Sequence, residues 1–208
     1  MFLSLIESFL RNISGAPGFF LRRLYYSKRL GKCGKKLIIS EGVYFDQPHL
    51  IEIGDYVWID RNAIFIAGKI QPSPSVKIQG SYTESLAGKI VVGSKCHFGI
   101  GTIVQGHGGI FIGDHFTSSA YCKLYSYSND PFLCKEGTIQ LTGTPPQPSI
   151  LHQITIGDNV WLGLNTSCLG GSIGHDTFVK PNTIISGDVE PNSILSGYPA
   201  KTTRSRFS

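Results

Sequence analysis

The chain has 208 residues, of which 25 are glycine, and only 16% of its residues are charged. This balance suits one domain built from many tight turns and argues against a helical bundle. The formal net charge of +5 is mild and no basic run is interleaved with a nucleic-acid-binding motif, so we expect no nucleic-acid partner. Five cysteines without CxxC spacing argue against a structural zinc site and a disulfide scaffold, and they indicate a reducing, cytoplasmic compartment.

Residues 1–37 are predicted to form a separate, short helical segment. Its apolar residues recur near helical spacing, and the glycine- and proline-containing break at residues 15–18 interrupts them well short of the ~18 residues of a membrane span. Positive charges follow the apolar stretch, whereas a secretory signal peptide would have them first. The basic residues that follow are Arg22, Arg23, Lys28, Arg29, Lys32, Lys35 and Lys36.

Two interpretations of this segment remain open, and they are compatible. A basic, amphipathic segment can lie on an anionic membrane surface, which would make the protein peripheral at the inner membrane face. Alternatively, the segment is a helical cap that packs over the open end of the following domain and keeps its cations in water.

A six-residue period dominates residues 38–208 and is clearest from Ile154 onward. Apolar residues recur at Ile156, Leu162, Ile173, Val179 and Ile185, with one slip of five. A β-branched column follows at Val160, Thr166, Thr177, Thr183 and Val189, and an Asn/Asp column stands at Asn159, Asn165, Asp176, Asn182 and Asp188. Since β-branched residues favour strands and Asn or Asp readily adopts the left-handed backbone conformation, each unit is predicted to be a short strand followed by a corner.

Such a period predicts a three-sided coil of about eighteen residues per turn, stacked through parallel backbone hydrogen bonds. The same columns recur earlier, for example at Ile53, Ile59 and Phe98. Two stretches interrupt the six-residue period. The first, near 67–88, contains two prolines, and the second, near 126–153, contains four. We predict that both are loops projecting from the coil, and long ordered loops are often functional.

The last part of the chain resembles a known family. Its segments Ile156-Gly-Asp-Asn-Val-Trp-Leu-Gly, Ile173-Gly and Gly187-Asp-Val-Glu-Pro-Asn-Ser-Ile-Leu-Ser-Gly-Tyr-Pro-Ala-Lys201 are similar to the C-terminal half of the hexapeptide-repeat O-acetyltransferases. That family includes galactoside, maltose, nodulation-factor, capsule and lipopolysaccharide enzymes. The resemblance is close over 150–206 and looser over 38–125. It implies an all-β fold, a left-handed parallel β-helix with projecting loops, after the short N-terminal helical segment.

The resemblance also implies a homotrimer whose active sites lie between adjacent subunits and use acetyl-CoA as co-substrate. The corner at Gly163 and Leu164 would offer backbone groups to the pantetheine arm, and Trp161 would either wall the groove or fill the trimer interface. Lys201 and Arg204, with Lys180 as a weaker candidate, would face the nucleotide phosphates. The alternative for the C-terminal cations is a solvated tail beyond the last coil.

Acyl transfer needs a base for the attacking hydroxyl or amine and a donor for the thioester oxygen. Where the resemblance implies a loop histidine as the base, this chain has Asn129. We therefore rank His107, in Gln105-Gly-His-Gly-Gly109, as the first candidate base and Asp130 as the second, either as a base or as the group that orients a histidine. His115 and His175 are predicted to occupy corners, and His97 to project outward.

The predicted function is transfer of an acetyl group from acetyl-CoA to a hydroxyl of a sugar or glycan precursor, as in capsule, lipopolysaccharide or exopolysaccharide assembly. One alternative is N-acetylation of a nucleotide-linked aminosugar, which the short first fifty residues disfavour, since many such enzymes carry an N-terminal nucleotide-binding domain. The other alternative is a non-catalytic scaffold or partner-binding coil. Zinc chemistry of the γ-carbonic-anhydrase type is disfavoured because the histidines lack the required spacing, so we expect no metal.

Overall fold

The computed structural model describes residues 2–71, 73–130 and 148–207. The described residues begin with helices α1 (Phe2–Asn12) and α2 (Gly15–Tyr26), and the strands within these ranges come after them. These strands are β1 (Lys32–Cys33), β2 (Ile38–Ile39), β3 (Tyr44–Asp46), β4 (Ile51–Ile53), β5 (Trp58–Ile59), β6 (Ile64–Ile66), β7 (Val76–Gln79), β8 (Ile90–Val92), β9 (His97–Phe98), β10 (Ile103–Gln105), β11 (Ile110–Ile112), β12 (Thr117–Ser118), β13 (Lys123–Tyr125), β14 (Tyr127–Asn129), β15 (Ser149–His152), β16 (Ile154–Ile156), β17 (Trp161–Leu162), β18 (Ser167–Cys168), β19 (Gly171–Ile173), β20 (Phe178–Val179), β21 (Ile184–Ile185), β22 (Ser193–Ser196) and β23 (Lys201–Ser205). Short 3-10 turns lie at Pro48–Leu50 and Glu84–Leu86.

Most strands belong to three sheets that the chain visits in a fixed cyclic order. The first sheet has the order β1-β4-β8-β11-β16-β19, the second β2-β5-β9-β12-β17-β20-β22-β23, and the third β3-β6-β10-β13-β18-β21. All their neighbouring strands pair in parallel, except the final β22–β23 pair, which is antiparallel. The protein is therefore mostly β, with parallel sheets, as the period predicts. The boundary predicted after residue 37, between the N-terminal segment and the repeat region, falls between β1 and β2.

The inward side chains of all three sheets form one continuous core. Both predicted columns point into it: Ile156, Leu162 and Val179 are fully buried, as are Val160, Thr166 and Thr177. Phenylalanine rings stack along the coil from Phe45 through Phe65 and Phe98 to Phe116, with centroids 5.1–5.4 Å apart. Burial of these columns stabilises the coil because each apolar side chain removed from water contributes on the order of 1.5–3 kcal/mol.

The corners have the left-handed backbone conformation that the Asn/Asp column predicts, with two corrections. Asn159, Asn165, Asp176 and Asn182 all have φ between 54° and 58°. Asp188 does not, and Asn192 takes the last left-handed corner instead; the Asp188 carboxylate accepts a hydrogen bond from the N–H of Ser172 at 2.8 Å. His115 lies at a corner as predicted, with φ of 58°, whereas the neighbouring corner belongs to Asp176 and not to His175.

The Ile-Gly-Asp segments hold successive turns of the coil together. A Cβ on Gly113 would lie 2.9 Å from the carbonyl carbon of Gly157 in the next turn, so only glycine allows this approach. The following aspartate accepts a hydrogen bond from the turn below: the N–H of Asp114 donates to Asp158 Oδ1 at 2.7 Å, and the N–H of Ser94 donates to Asp114 Oδ1 at the same distance. The repeated tripeptide therefore fixes the stacking distance and satisfies a backbone donor in each turn.

The two predicted loops are joined to each other. Strand β15 pairs in parallel with β7 and antiparallel with β14, so a small three-stranded sheet links the described parts of both loops. This pairing is a finding beyond the sequence prediction. Residues 131–147 of the second loop, including Cys134, lie outside the described residues.

The N-terminal helices cover the first turn of the coil, as the cap interpretation predicts. The buried guanidinium of Arg22 donates hydrogen bonds to the carbonyl oxygens of Ile39, Leu10 and Ile13 at 2.8, 2.9 and 2.6 Å. The ring of Tyr26 packs on Phe45, with the centroids 4.7 Å apart. No helix in the described part of the chain is both long and apolar enough to cross a membrane.

Candidate active site

Both loops and the His107 segment lie on the same edge of the coil, where the third sheet leads into the first. The loop at 67–88 connects β6 to β8, residues 106–109 connect β10 to β11, and the loop at 126–153 connects β13 to β16. Three successive turns therefore place their connections one above another. The structure brings all three connections into contact.

His107 is half-buried between the two loops, and its ring is fixed. Its Nδ1 lies 2.7 Å from the carbonyl oxygen of Gly68, and its ring meets Tyr127 edge-on with the centroids 5.5 Å apart. A carbonyl oxygen only accepts hydrogen bonds, so Nδ1 carries the proton and donates. In the neutral imidazole the lone pair is then on Nε2, which is the nitrogen that can take a proton from a substrate.

Two backbone hydrogen bonds complete a ring of contacts around this histidine. Gly68 N–H donates to the carbonyl oxygen of Gly88 at 2.8 Å, and Gly88 N–H donates to the carbonyl oxygen of His107 at 3.1 Å. On the other side, buried Ser126 donates to the carbonyl oxygen of Gln105 at 2.6 Å and accepts from Gly108 N–H at 2.9 Å. The histidine is therefore held by both loops and by its own turn.

The second catalytic candidates are close by but have different environments. Asn129 is exposed, and the Tyr127 hydroxyl donates to its Oδ1 at 3.2 Å. The side chain of Asp130 is only 3% exposed, and its Oδ2 accepts from Lys77 Nζ at 3.2 Å. Asp130 thus forms an ion pair with the other loop, and this contact links the two loops beside His107.

Sequence reasoning missed Gln153 and His152 in this site. The buried Gln153 accepts from Thr83 N–H at 2.9 Å and donates to the carbonyl oxygens of Thr83 and Gly108 at 3.1 and 3.3 Å, which holds the first loop against the histidine segment. His152 lies in the neighbouring connection, and burial lowers its pKa below the ordinary value of 6.5. The feature of the sequence that could have indicated a role for these two residues is their position at the end of a loop, just before a core strand.

The predicted coenzyme A residues lie on the second sheet. Trp161 points outward with 47% of its surface exposed, and its Nε1 donates to Ser119 Oγ at 3.2 Å. Its ring contacts Phe178 with the centroids 5.4 Å apart. Phe178 pairs with Ile194, which pairs with Arg204, so Trp161 and Arg204 belong to one row across the last strands of this sheet.

The remaining coenzyme A candidates border the same strands. Lys201 pairs with Ser196 on the final hairpin and is exposed, so the C-terminal cations stand on a paired strand. Lys180 is exposed directly after β20. Gly163 N–H donates to the carbonyl oxygen of Val179 at 2.7 Å, so this donor is occupied within the coil.

At the same corner the side chain of Leu164 is exposed. The N–H of Gly163, being occupied, is not among the backbone groups that this corner has free to offer to a pantetheine arm. The glycine is required for another reason: a Cβ there would lie 2.7 Å from the carbonyl oxygen of Val179 in the next turn. No group of three or more His, Cys, Asp and Glu side chains within the described ranges is arranged to hold a metal ion.

The structure thus brings the candidates together in two groups and keeps the groups apart. His107, Asn129 and Asp130 gather at the edge between the third and first sheets, and Trp161, Leu164, Lys180, Lys201 and Arg204 gather on and beside the second sheet. Since three sheets surround one core, the edge between two of them faces away from the third.

The chain is similar to several known acetyltransferases over part of its length. No protein-family model matches the chain. It is 28% identical over 126 residues to a chloramphenicol acetyltransferase from Escherichia coli, covering 58% of this chain and 53% of that enzyme. It is 26% identical over 144 residues to the putative lipopolysaccharide biosynthesis O-acetyl transferase WbbJ from Escherichia coli K12, covering 68% of this chain and 60% of that protein. The chain therefore spans about half to three fifths of the length of these curated relatives.

Solved structures show the same fold over nearly the whole chain. AntD, an N-acyltransferase from Bacillus cereus in complex with dTDP and 3-hydroxybutyryl-CoA, matches with a TM-score of 0.70 at 18% identity, covering 94% of this chain and 90% of that one. A hexapeptide-repeat-containing acetyltransferase from Vibrio cholerae, complexed with acetyl coenzyme A, matches with a TM-score of 0.56 at 19% identity, covering 90% and 78%. With its six-residue repeat and three parallel sheets, the chain is thus similar in sequence to acetyltransferases and similar in fold to a hexapeptide-repeat-containing acetyltransferase.

Proposed function

We propose that this protein transfers an acetyl group from acetyl-CoA to a hydroxyl group of a sugar or glycan precursor in the cytoplasm. The observation that carries the proposal is the fixed tautomer of His107, whose Nδ1 donates to Gly68 and whose Nε2 is the basic nitrogen. The similarity to WbbJ over 68% of this chain supports an O-acetyl acceptor on a glycan.

One proton is transferred in each of the two steps of the reaction: His107 first takes it up and then returns it. His107 Nε2 removes the proton of the acceptor hydroxyl while its oxygen attacks the thioester carbonyl carbon. The tetrahedral intermediate then collapses, the carbon–sulfur bond breaks, and the imidazolium returns the proton to the coenzyme A sulfur. The products are the acetyl ester and free coenzyme A, and no metal or redox group takes part.

Neighbouring side chains support this chemistry in different ways. Asn129 is exposed at the edge of the site, so its amide is placed to bind an acceptor hydroxyl or the thioester oxygen. Asp130 is buried and paired with Lys77, so we assign it to holding the two loops together beside the histidine. His107 is preferred over His152 because its ring is fixed by a bond through Nδ1.

The position of the two candidate groups supports a site between subunits. His107 and the row from Trp161 to Arg204 lie on different outer sides of one core. A single chain therefore does not bring them to one substrate. A cyclic homotrimer would place the loop edge of one subunit against the second sheet of the next. The acetyl-CoA arm would run along this contact past Trp161 and Leu164, with its phosphates near Lys180, Lys201 and Arg204. We also propose a left-handed winding for the coil.

N-acetylation of a nucleotide-linked aminosugar is the second candidate. It is favoured by the fold similarity to AntD, which was solved with dTDP and an acyl-CoA and covers 94% of this chain. An amine that arrives deprotonated would not need His107. The two candidates therefore differ in how strongly the reaction depends on this residue.

The first experiment is calorimetric titration of acetyl-CoA into the purified protein, with coenzyme A and free acetate as controls. We expect binding that requires the nucleotide end and weakens about tenfold or more in Lys201→Ala and Arg204→Ala, since each removes a charge-assisted contact. The matched control is Lys95→Ala, which removes an exposed cation far along the chain from these strands. Absence of binding at millimolar acetyl-CoA would contradict the transferase proposal and favour a non-catalytic scaffold.

A second experiment separates the two acceptor classes. The protein is incubated with acetyl-CoA and a panel of sugars carrying either free hydroxyls or an amino group, and release of coenzyme A is followed with a thiol reagent. Acetyl esters are cleaved by mild base and amides are not, so the product class is read directly. Ester products would support the proposal, and amide products would replace it with the second candidate.

A further inference from the structure

The charge of this protein is concentrated at one end. The first 40 residues contain eight lysines and arginines and a single acid, Glu7, so they carry a formal charge of +7, whereas the other 168 residues carry −2. Such asymmetry indicates an anionic partner for the charged part of a chain.

Most of these cations face water. Arg22 is buried in backbone hydrogen bonds, and Arg29 lies 3.8 Å from Glu7, the single acid of the segment. The remaining exposed cations are Arg23, Lys28, Lys32, Lys35 and Lys36, on or just after α2. The internal contacts of the cap therefore use few of its positive charges.

Large apolar side chains stand among these cations. Phe9 is 71% exposed and Phe20 is 67% exposed, and Leu5, Phe19 and Leu24 are exposed as well. Arg23 borders a hollow with Phe20 and Leu24, and Lys28 borders a second one with Leu10 and Leu21. A folded protein rarely leaves several large apolar groups together in water without a use for them.

The cap presents this mixed surface away from the coil. Its inward side is fixed by Arg22 and by the packing of Tyr26 on Phe45 in the first turn. The exposed phenylalanines are therefore not needed to close the coil. The surface also leaves the edge with His107 uncovered, because that edge lies on later turns.

We propose that this cap surface, which includes Phe9, Phe20, Arg23, Leu24 and Lys28, binds the surface of a bilayer that contains anionic phospholipids. Aromatic and aliphatic side chains enter the region between headgroups and acyl chains, and the surrounding cations contact the phosphates. A polyanion without an apolar layer would leave Phe9 and Phe20 in water. Pairing with a second copy would bring two surfaces of high positive charge together, which opposes association.

The test uses the full chain and vesicles, and it does not depend on any transferase activity. The protein is sedimented with vesicles of phosphatidylcholine alone and of phosphatidylcholine with 30% phosphatidylglycerol, at low and at physiological salt. We expect binding to the anionic vesicles only, weakening as salt increases because the headgroup attraction is screened.

Two pairs of variants locate the contact. Arg23→Gln/Lys28→Gln should bind anionic vesicles about tenfold or more weakly, since each surface cation contributes on the order of 1 kcal/mol. Arg61→Gln/Lys95→Gln removes the same charge from exposed positions outside the cap and should bind normally. Phe9→Ser/Phe20→Ser should also lose about tenfold or more, while Phe207→Ser, which changes a phenylalanine that is 53% exposed at the other end of the chain, should not.

Three outcomes would overturn the proposal. One is wild-type protein that stays in the supernatant with anionic vesicles at low salt. Another is equal loss of binding in the cap variants and their controls, which would show a nonspecific charge effect. The third is a change in sedimentation velocity of the Phe9→Ser/Phe20→Ser variant without lipid, which would identify the surface as a contact between copies of the chain.

Discussion

His107 and Gly68 form a hydrogen bond of 2.7 Å although they are 39 residues apart in the chain. Gly68 begins the first loop, and its own N–H bonds to Gly88 at the end of that loop, which in turn bonds to His107. The loop is thus closed on the histidine, and the orientation of the ring depends on backbone atoms that no side-chain substitution removes.

Replacing His107 should abolish most of the proposed activity. In His107→Gln and His107→Ala we expect kcat to fall by ~10² or more, because the acceptor loses its base, while the affinity for coenzyme A stays within a few-fold. Steady-state kinetics and calorimetry check the two parts. His49→Gln, at an exposed turn, is the control. Turnover within twofold of wild type would remove His107 from the mechanism.

Gly68 should be more sensitive to substitution than another glycine of the same loop. Gly68 has φ of 133°, a conformation that residues with a Cβ rarely adopt, so Gly68→Ala strains the backbone, and the new Cβ, 2.4 Å from Gln47 Nε2, displaces that side chain. We expect a loss of about 1–3 kcal/mol of stability together with a lower kcat. Gly80 also has a positive φ, but nothing lies within 4 Å of its Cβ position. Gly80→Ala should therefore leave kcat unchanged, and an equal fall in both variants would contradict the role of Gly68 in holding the histidine.

Arg22 should be the residue of the cap that contributes most to stability. Arg22→Met removes the donor to the carbonyl oxygens of Leu10, Ile13 and Ile39; the oxygen of Leu10 keeps the N–H of Ile13 at 3.4 Å, and those of Ile13 and Ile39 lose their buried donor. Since each unsatisfied buried acceptor costs about 1–3 kcal/mol, we expect a loss of about 3 kcal/mol or more in urea denaturation. Arg23→Met alters the exposed neighbour and should change stability by less than about 0.5 kcal/mol. Similar stabilities for the two variants would contradict the buried hydrogen bonds.

The core cysteines should resist thiol reagents in the native protein. Burial raises the pKa of Cys96 to about 11 and that of Cys168 to about 12. At pH 8 their thiolate fractions are then about 10⁻³ and 10⁻⁴, and the thiolate is the reactive form. Of the four cysteines in the described residues, half-buried Cys33 should react first in a time course followed by peptide mass spectrometry. Rapid labelling of Cys168 without denaturant would show that the last turns of the coil open.

The sequence alone predicted the coil because each turn repeats the same pattern of residue types, and each of these residues makes contacts within its own turn or with an adjacent turn. Ile156, Thr166 and Asn165 belong to columns that recur every six residues, and each column has one physical task. The corners were less visible where Lys36, Tyr56, Lys95 or Tyr121 takes the left-handed conformation, since nothing in those residue types marks a corner. There the stacking of one turn on the next imposes the conformation.

The site was predicted only in part. The sequence placed His107 near the loop that contains Asn129, because both follow strands of successive turns. It gave no sign of the bond to Gly68, of the ion pair between Lys77 and Asp130, or of the small sheet shared by the loops. Those contacts join segments that lack a repeat, so their partners cannot be deduced from spacing.

The sequence by itself determined the repeating coil, the inward and outward columns, and the basic, apolar character of the first residues, since these depend on contacts within one turn or between adjacent turns. The tertiary structure alone decided how the loops meet over His107, which nitrogen of that ring is basic, and which face of the cap stays in water. The physical reason is that each of these depends on contacts between segments distant in sequence, where burial and hydrogen bonding select one arrangement among many that the residues allow.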